Sequence, residues 1–295
     1  MIRTTMLAAI AFMALATAAC AQDGGFDPAL YVVRDPDSTM YLYGTVHVRP
    51  RGTDWGDEDV RSALASAEEI WTEIEISPQA DAQAQALATQ LGQAPADKPL
   101  SSWLTAQENE RLNGLTQRLG IPRAYLESMQ PWMAGLTLSL MPIMQAGYDP
   151  MSGVDRAIDA YGDANRKTMR SFETIEQQLG FFAGLSDETQ REFLREAIEE
   201  AEQGPAMIGE MTSAWERGDL DTLERVVVDD TRREYPDVYE ALFLRRNNAW
   251  MDVLVREMQG SGVDFVAVGA GHLLGEDGLV EQFRARGYAV ERVGE

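Results

Sequence analysis

The chain has 295 residues, 45% of them hydrophobic, with 25 Lys and Arg against 48 Asp and Glu, for a net charge of −23. That composition buries a real core, in one large domain or two small ones, and its acidity excludes nucleic acid and anionic membrane surfaces as main partners, because both repel it. One Cys excludes a disulfide framework or a Cys-rich zinc module, and two His exclude a three-histidine site within one chain.

Residues 1–21, MIRTTMLAAIAFMALATAACA, read as a signal peptide. Arg3 gives the positive start. Met6–Ala19 is apolar but too short to span a bilayer. Ala19-Cys20-Ala21 fits a cleavage site before Gln22, which predicts an exported, periplasmic or secreted, Cys-free mature chain. The alternative is a lipoprotein through Cys20, with Thr17 standing where such sites want Leu or Val. A retained anchor ranks third. Trp132–Ala146 is apolar, yet Thr137, Ser139 and Pro142 fit a buried, Pro-kinked helix better than a span. No stable transmembrane segment is expected in residues 22–295.

Tyr31–Val33 and Met40–Tyr43 read as two strands of a hairpin around Asp35-Pro36-Asp37-Ser38. Asp57–Glu69 reads as a helix with Val60, Leu64 and Ala67 on one face. Ile70–Ile76 reads as a strand, with Ile70, Thr72, Ile74 and Ile76 on one side and Trp71, Glu73 and Glu75 on the other. Residues 79–259 read as mostly helical. Ala80–Leu91, Ala- and Gln-rich, reads as a flap, and Thr105–Leu119 as an amphipathic helix. The spacing of Phe193, Leu194, Ala197, Ile198 and Ala201 predicts a helix over 187–203, capped by Ser186 or Asp187 and stopped by Gly204-Pro205. Thr168–Phe172 interrupts as a strand. Asp237–Met258 reads as one long helix, Asp264–Val268 as a buried strand, Glu276–Arg286 as a helix and Tyr288–Val293 as a last strand. The fold class is therefore α+β: a central mixed β-sheet built from N- and C-terminal strands, with a large helical insertion.

The two histidines share a frame. Met40-Tyr41-Leu42-Tyr43-Gly44-Thr45-Val46-His47 and Phe265-Val266-Ala267-Val268-Gly269-Ala270-Gly271-His272 are each an apolar strand, a Gly, two residues and a His. On composition alone both having Gly three places back has a chance below about 1%. A Gly at a strand end lets the backbone turn sharply or approach a ligand closely. Sheet strands present ligand sites at their carboxyl ends. A lone His here reads as a hydrogen-bonded strand cap; a matched pair reads as a shared site. Two imidazoles make a weak metal site, and a carboxylate would complete a two-His-one-carboxylate set. Glu73 and Glu75 are candidates, because they interrupt an apolar strand beside the first motif. The plainer reading is that they line a solvated face.

Further elements follow in order. Ala67-Glu68-Glu69-Ile70-Trp71-Thr72-Glu73 leads into the strand acid. Then come Pro131-Trp132, Gly153-Val154-Asp155, Phe172-Glu173-Thr174 with Gln177 or Gln178, and Arg246-Asn247 with Trp250. Val268-Gly269-Ala270-Gly271-His272-Leu273 with Gly275-Glu276-Asp277-Gly278 closes the series. From about residue 29 to 293 this set resembles the TraB/GumN family, which also includes the PrgY-type pheromone-shutdown proteins and the animal Tiki proteases. With its export signal and length, the chain looks like the GumN-like bacterial branch. The resemblance selects Glu73 over Glu75. It implies a Tiki/TraB-like metal-dependent hydrolase fold, with proteolysis supported in Tiki-like members by the two Gly-x-x-His motifs and the Glu.

The expected activity is that of an exported, metal-dependent, peptidase-like hydrolase on a peptide or protein substrate. His47 and His272 would hold a divalent cation, Mn, Co or Zn, with Fe also suited to such donors; the Tiki resemblance leans to Mn or Co. Glu73 would complete the ligand set or act as general base on metal-bound water. Asp155 is a second-tier ligand candidate or a helix-start Asp. Arg246 reads as a clamp for a substrate carboxylate or as a surface group on a long helix. Met129, Met133, Met141, Met144 and Met151 read as core packing or as an adaptable groove. The alternatives are a peptide-sequestering protein of the pheromone-shutdown type and an accessory factor in exopolysaccharide export. The sequence fixes no oligomeric state.

Overall fold

The computed structural model describes residues 26–295; the signal peptide, Cys20 and the cleavage site before Gln22 lie outside the described residues. The strands are β1 (Leu30–Arg34), β2 (Ser38–Thr45), β3 (Arg49–Pro50), β4 (Glu69–Ile74), β5 (Tyr148–Asp149), β6 (Thr168–Glu173), β7 (Gly262–Gly269) and β8 (Ala289–Arg292). Six form one mixed sheet in the order β6-β4-β7-β2-β1-β8, while β3 and β5 pair separately. The hairpin turn before β2 is held by Asp35, whose Oδ1 accepts from the N–H of Asp37 and of Ser38, the local bond that favours Asp in turns.

The first and last described strands pair in the sheet. β7 lies parallel to β2 on one side and to β4 on the other, and β4 lies parallel to β6. β1 pairs antiparallel with both β2 and β8. Phe265 and Ala267 enter one core with Val60, Leu64, Ile158 and Trp215. Val266 and Val268 enter a second with Leu42, Trp71, Trp250, Leu254 and Phe283. The alternation of neighbours between two cores is the two-residue period of a strand buried on both faces, which is why β7 reads as a continuous apolar run.

The helical part builds a third core from Leu112, Leu115, Leu138, Leu194 and Ile198. Its helix Asp187–Gln203 is capped by Ser186, whose side chain accepts from Thr189 N–H, and stops at Gly204 with φ +85°. Met129, Met133 and Met141 belong to this core, whereas Met144 and Met151 are exposed. β6 leaves the helical part and joins the edge of the main sheet.

Several elements differ from the sequence reading. Asp57–Glu69 shortens to the helix Glu58–Ser66, and Glu69 passes into β4. Ala80–Leu91 belongs to a helix, Pro78–Gly92, capped by Ser77 and packed on the helix Ile175–Ala183; a cap and a proline at its start outweigh its weak amphipathicity. Glu276–Arg286 shortens to Leu279–Ala285. Asp237–Met258 is helical but not uniform. It runs as Pro236–Tyr239, a π-helical stretch Glu240–Leu244, and Arg245–Glu257. A second π-helical stretch spans Glu224–Asp229.

Candidate functional site

The carboxyl ends of the parallel strands deliver the site. β2 runs through Gly44 and Thr45 to His47, and β4 carries Glu73. β6 ends on Glu173, and β7 ends at Gly269 before a 3-10 turn, Ala270–Leu273, that holds His272. In register, Thr45 stands beside Gly269, and Ile74 beside Glu173. Parallel pairing thus puts both Gly-x-x-His frames at one edge of the sheet.

Both imidazoles face one carboxylate oxygen. Glu73 Oε1 is 4.0 Å from His47 Nε2 and 3.9 Å from His272 Nε2, and it accepts from Gly269 N–H at 2.7 Å. Glu73 Oε2 accepts from Arg246 Nη2 at 2.6 Å and from Gln178 Nε2 at 2.9 Å. Glu75 is exposed, outside this cluster, and accepts from Ser77 Oγ.

Each imidazole is oriented through its other nitrogen. His47 Nδ1 lies 3.2 Å from Asp155 Oδ1, and His272 Nδ1 lies 2.6 Å from Asn247 Oδ1. Asn247 Nδ2 donates to the Asp277 carbonyl, so its oxygen faces the ring and Nδ1 of His272 carries the proton. Carboxylate or carbonyl partners of this kind set the tautomer of metal-ligating histidines. Asp155 is therefore an orienting partner of His47, and it stands in the first turn of the helix Val154–Asn165.

Arg246 is neither a surface group nor free to receive a substrate carboxylate. It is buried between two protein carboxylates. Glu173 takes it in a two-pronged bond, Nε to Oε1 at 2.8 Å and Nη2 to Oε2 at 2.9 Å. Nη1 reaches the Leu242 carbonyl at 3.1 Å and His272 Nε2 at 3.1 Å. Its guanidinium lies over the Trp250 ring, and Trp250 Nε1 donates to Glu173 at 2.9 Å. With all those donors paired, burial of the charge is compensated.

The electrostatics separate the two histidines. Burial and the nearby Arg246 outweigh the Glu73 charge at His272 and push it down to about 3, so it is neutral at pH 7. At His47, burial is outweighed by Asp155 and Glu73, which raise it to about 9; its side chain is 60% exposed, so solvent screens part of that effect. For Glu73, burial is overcome by the histidines, Arg246 and the Gly269 N–H, which hold it near 2. With His272 neutral, His47 and Arg246 carry that effect at pH 7.

The two motif glycines have different work. A Cβ on Gly44 would stand 2.9 Å from the Ala270 Cα, so this glycine lets β2 pack against the turn bearing His272. A Cβ on Gly269 would stand 3.1 Å from Glu73 Oε1, 3.4 Å from His47 Nε2 and 3.6 Å from His272 Cδ2. Its absence leaves a cradle between the side chains of Glu73, His47 and His272. Among the described residues no group of three or more His, Cys, Asp and Glu side chains is closed to the spacing of ligands around an ion. The separations from Glu73 Oε1 exceed the roughly 3.3 Å between donors in a tetrahedral zinc shell with ~2 Å bonds. The donor set nonetheless fits a divalent cation: two nitrogens and one oxygen face a common cradle, each nitrogen backed by an oxygen partner. Ligation by His272 Nε2 would displace the Arg246 bond.

Two cavities meet at this cluster. One, of about 430 Å³, is walled mainly by apolar side chains, among them Phe181, Ile208, Met211, Val227, Leu242 and Phe243. The other, of about 260 Å³, carries Thr72, Asp155 and Arg156. Thr45, His47, Glu73 and Gln178 line both.

Glu173, Gln178, Asn247 and Trp250 enter the sequence reading only as letters of ordered elements. Their roles need the third dimension, since each acts on a residue from another strand or helix.

The sequence profile described as the TraB/PrgY/gumN family matches residues 29–292 and does not separate its branches. The chain is 21% identical over 257 residues to uncharacterized protein YbaP of Escherichia coli (strain K12), covering 87% of this chain and 92% of that one. The same figures hold for uncharacterized protein YbaP of Shigella flexneri. No solved structure gives a significant match.

Proposed function

The chain thus belongs to the TraB/PrgY/gumN family, and on that footing we propose that it is an exported, metal-dependent hydrolase of peptides, of the gumN-like branch. The observation that carries the reading is the approach of His47, Glu73 and His272 around the side-chain-free face of Gly269. His47 and His272 would hold the cation through Nε2. When bound, a divalent cation supplies Lewis-acid polarisation and a water of lowered pKa.

The protein's own residues prepare the site in defined ways. Gly269 N–H, Gln178 and Arg246 pin the Glu73 carboxylate, leaving Oε1 directed at both imidazoles. That oxygen either completes the ligand shell or takes a proton from an attacking water. Asp155 and Asn247 fix the ring orientations. The cavity's apolar walls face one side of the cluster, and such low-polarity surroundings strengthen electrostatic interactions.

The same apolar lining favours, as a second reading, a protein that binds an exported peptide without cleaving it. The test is metal content, by mass spectrometry of the purified protein incubated with Mn, Co and Zn, beside cleavage of a peptide library. Wild type should bind one of these ions and cleave, and His47→Ala and His272→Ala should lose both properties. A wild-type protein that takes up no divalent ion overturns the hydrolase reading and leaves the binder.

A further inference from the structure

We infer that the substrate lies across the Glu73–Gln178 junction with a bulky apolar side chain, aromatic or long aliphatic, seated in the larger cavity, and that this chamber sets specificity. The inference rests on the hydrolase reading for what happens to the substrate, but the chamber has its own evidence.

The lining is the first part. The larger cavity is about 430 Å³, room for one large side chain and adjoining backbone, and its walls are aromatic and aliphatic. Apolar chambers with a few convergent polar groups are the ordinary form of a small-ligand site. Besides Thr45 and Thr212, the polar groups here are His47, Glu73, Gln178, Arg246 and His272, all bonded to or facing the Glu73 carboxylate. An apolar group placed in the chamber therefore brings its neighbouring backbone to the cluster.

The π-helical stretches are the second part. Val227 lies in Glu224–Asp229, and Leu242 and Phe243 lie in Glu240–Leu244. A π turn carries an extra residue and occurs often at functional sites. Both stretches turn side chains into the chamber and against its floor. A Cβ on Gly271 would stand 2.8 Å from Phe243 Cε1 and 2.8 Å from Val227 Cγ1. The Phe243 ring centre is 5.1 Å from that of His272. The chamber wall and the histidine turn are thus one packed unit.

The third part is an orphan. Thr45 is 2% exposed, and its Oγ1 has no hydrogen-bond partner. It lines both cavities where they meet. Buried hydroxyls are nearly always bonded. A peptide passing from one chamber to the other supplies a backbone carbonyl or N–H at that point. The smaller chamber, with Thr72, Asp155 and Arg156, accepts the more polar half. The chain's net charge of −23 disfavours acidic substrates throughout.

The experiment uses internally quenched Gly/Ser peptides with one variable residue, Phe, Leu, Ala, Ser, Lys or Asp, and the mature protein loaded with the ion it takes up. Phe and Leu peptides should exceed the Ser peptide in kcat/KM by about 10- to 100-fold, with product masses placing the cut beside the variable residue. Ile208→Trp fills the chamber and should flatten this preference. Met211→Lys should turn it toward Asp, a gain that a damaged fold cannot give. Wild type cleaving all peptides alike, or Met211→Lys with unchanged preference, overturns the chamber while the hydrolase reading stands. If nothing is cleaved, fluorescence anisotropy on labelled peptides decides. Phe binding at least about tenfold tighter than Ser, and lost in Ile208→Trp, upholds the chamber and overturns hydrolysis; equal or no binding overturns both.

Discussion

Arg246 Nη1 stands 3.1 Å from His272 Nε2, on the lone pair that the Asn247 bond leaves there. The guanidinium thus covers the nitrogen that would meet a cation, while Glu173 anchors it from behind with two bonds. Ligation at His272 asks Arg246 to give up one bond and keep four.

Arg246→Met strands the buried carboxylates of Glu73 and Glu173. Urea unfolding should show a loss of about 3–5 kcal/mol. Adding Glu173→Gln should return part of it by removing one stranded charge. Arg246→Lys should recover little, because an ammonium cannot fork onto both oxygens of Glu173 and also reach Glu73 and His272. Equal stability of wild type and Arg246→Met would contradict the clamp.

The two motif glycines give opposite signatures. Gly269 has φ −49°, which alanine accepts. Gly269→Ala should keep stability within about 1 kcal/mol and lower metal affinity by about 10- to 100-fold, the scale seen when a metal site's surroundings are disturbed. Gly44→Ala pushes a methyl into the Ala270 backbone and should cost about 1–3 kcal/mol. Paired thermal melts and metal titrations read both, and undiminished affinity in Gly269→Ala would remove the cradle.

The histidines should separate in stability. His272 is 4% exposed and its ring centre is 4.4 Å from that of Trp250. His272→Ala should cost about 2–4 kcal/mol from a cavity and from the unpaired Asn247 and Arg246 groups. His47 is open to solvent, so the attraction of Asp155 and Glu73 is screened and His47→Ala should cost no more than about 1 kcal/mol. Denaturant midpoints at equal slope decide this.

Glu73→Gln distinguishes the two roles of that oxygen. As a base, its loss leaves metal bound and lowers the rate by roughly 10²–10⁴. As a ligand, its loss lowers metal affinity as well. Metal content measured beside turnover reports which.

Stability should fall as pH rises through the neutral range. Burial, then Glu196, raises Glu200 to about 7; burial, then Glu257, Glu69 and Glu68, raises Asp264 to about 6. The folded protein holds these protons between about pH 4.5 and 7, where an unfolded chain releases them. The native state therefore gains relative stability below this window and loses it above. Both groups are partly open to solvent, so the difference between pH 5 and pH 8 is discounted to about 1–3 kcal/mol. Glu200→Gln should flatten the dependence measured by urea titration at each pH.

What the sequence discloses here is local. The β7 run Phe265–Val268 and the helix Asp187–Gln203 carry their period and caps in their own letters. The pairing of His47 with His272 is legible because the same frame is written twice. Arg246 is not, since nothing near it in the chain shows that β6 will bring Glu173 and β4 will bring Glu73 to its guanidinium. The π-helical stretch Glu240–Leu244 is equally hidden, because one extra residue in a turn leaves the apolar spacing of a long helix almost unchanged. By strand pattern alone Glu73 and Glu75 look alike; the family resemblance selects Glu73, and the end of β4 leaves Glu75 exposed.

β7 sits between β2 and β4, yet its first residue is Gly262. Until β7 arrives, β2 and β4 each present an unsatisfied edge with no neighbour to fill the gap. Such long-range closure is slow, and open edges invite misassembly until it happens. The strand that closes the gap also carries Gly269 and leads to His272. Any product cut short before Gly262 lacks Gly269 and His272 together with the middle of its sheet, so the His47–Glu73–His272 cluster assembles only with the strand that completes the sheet.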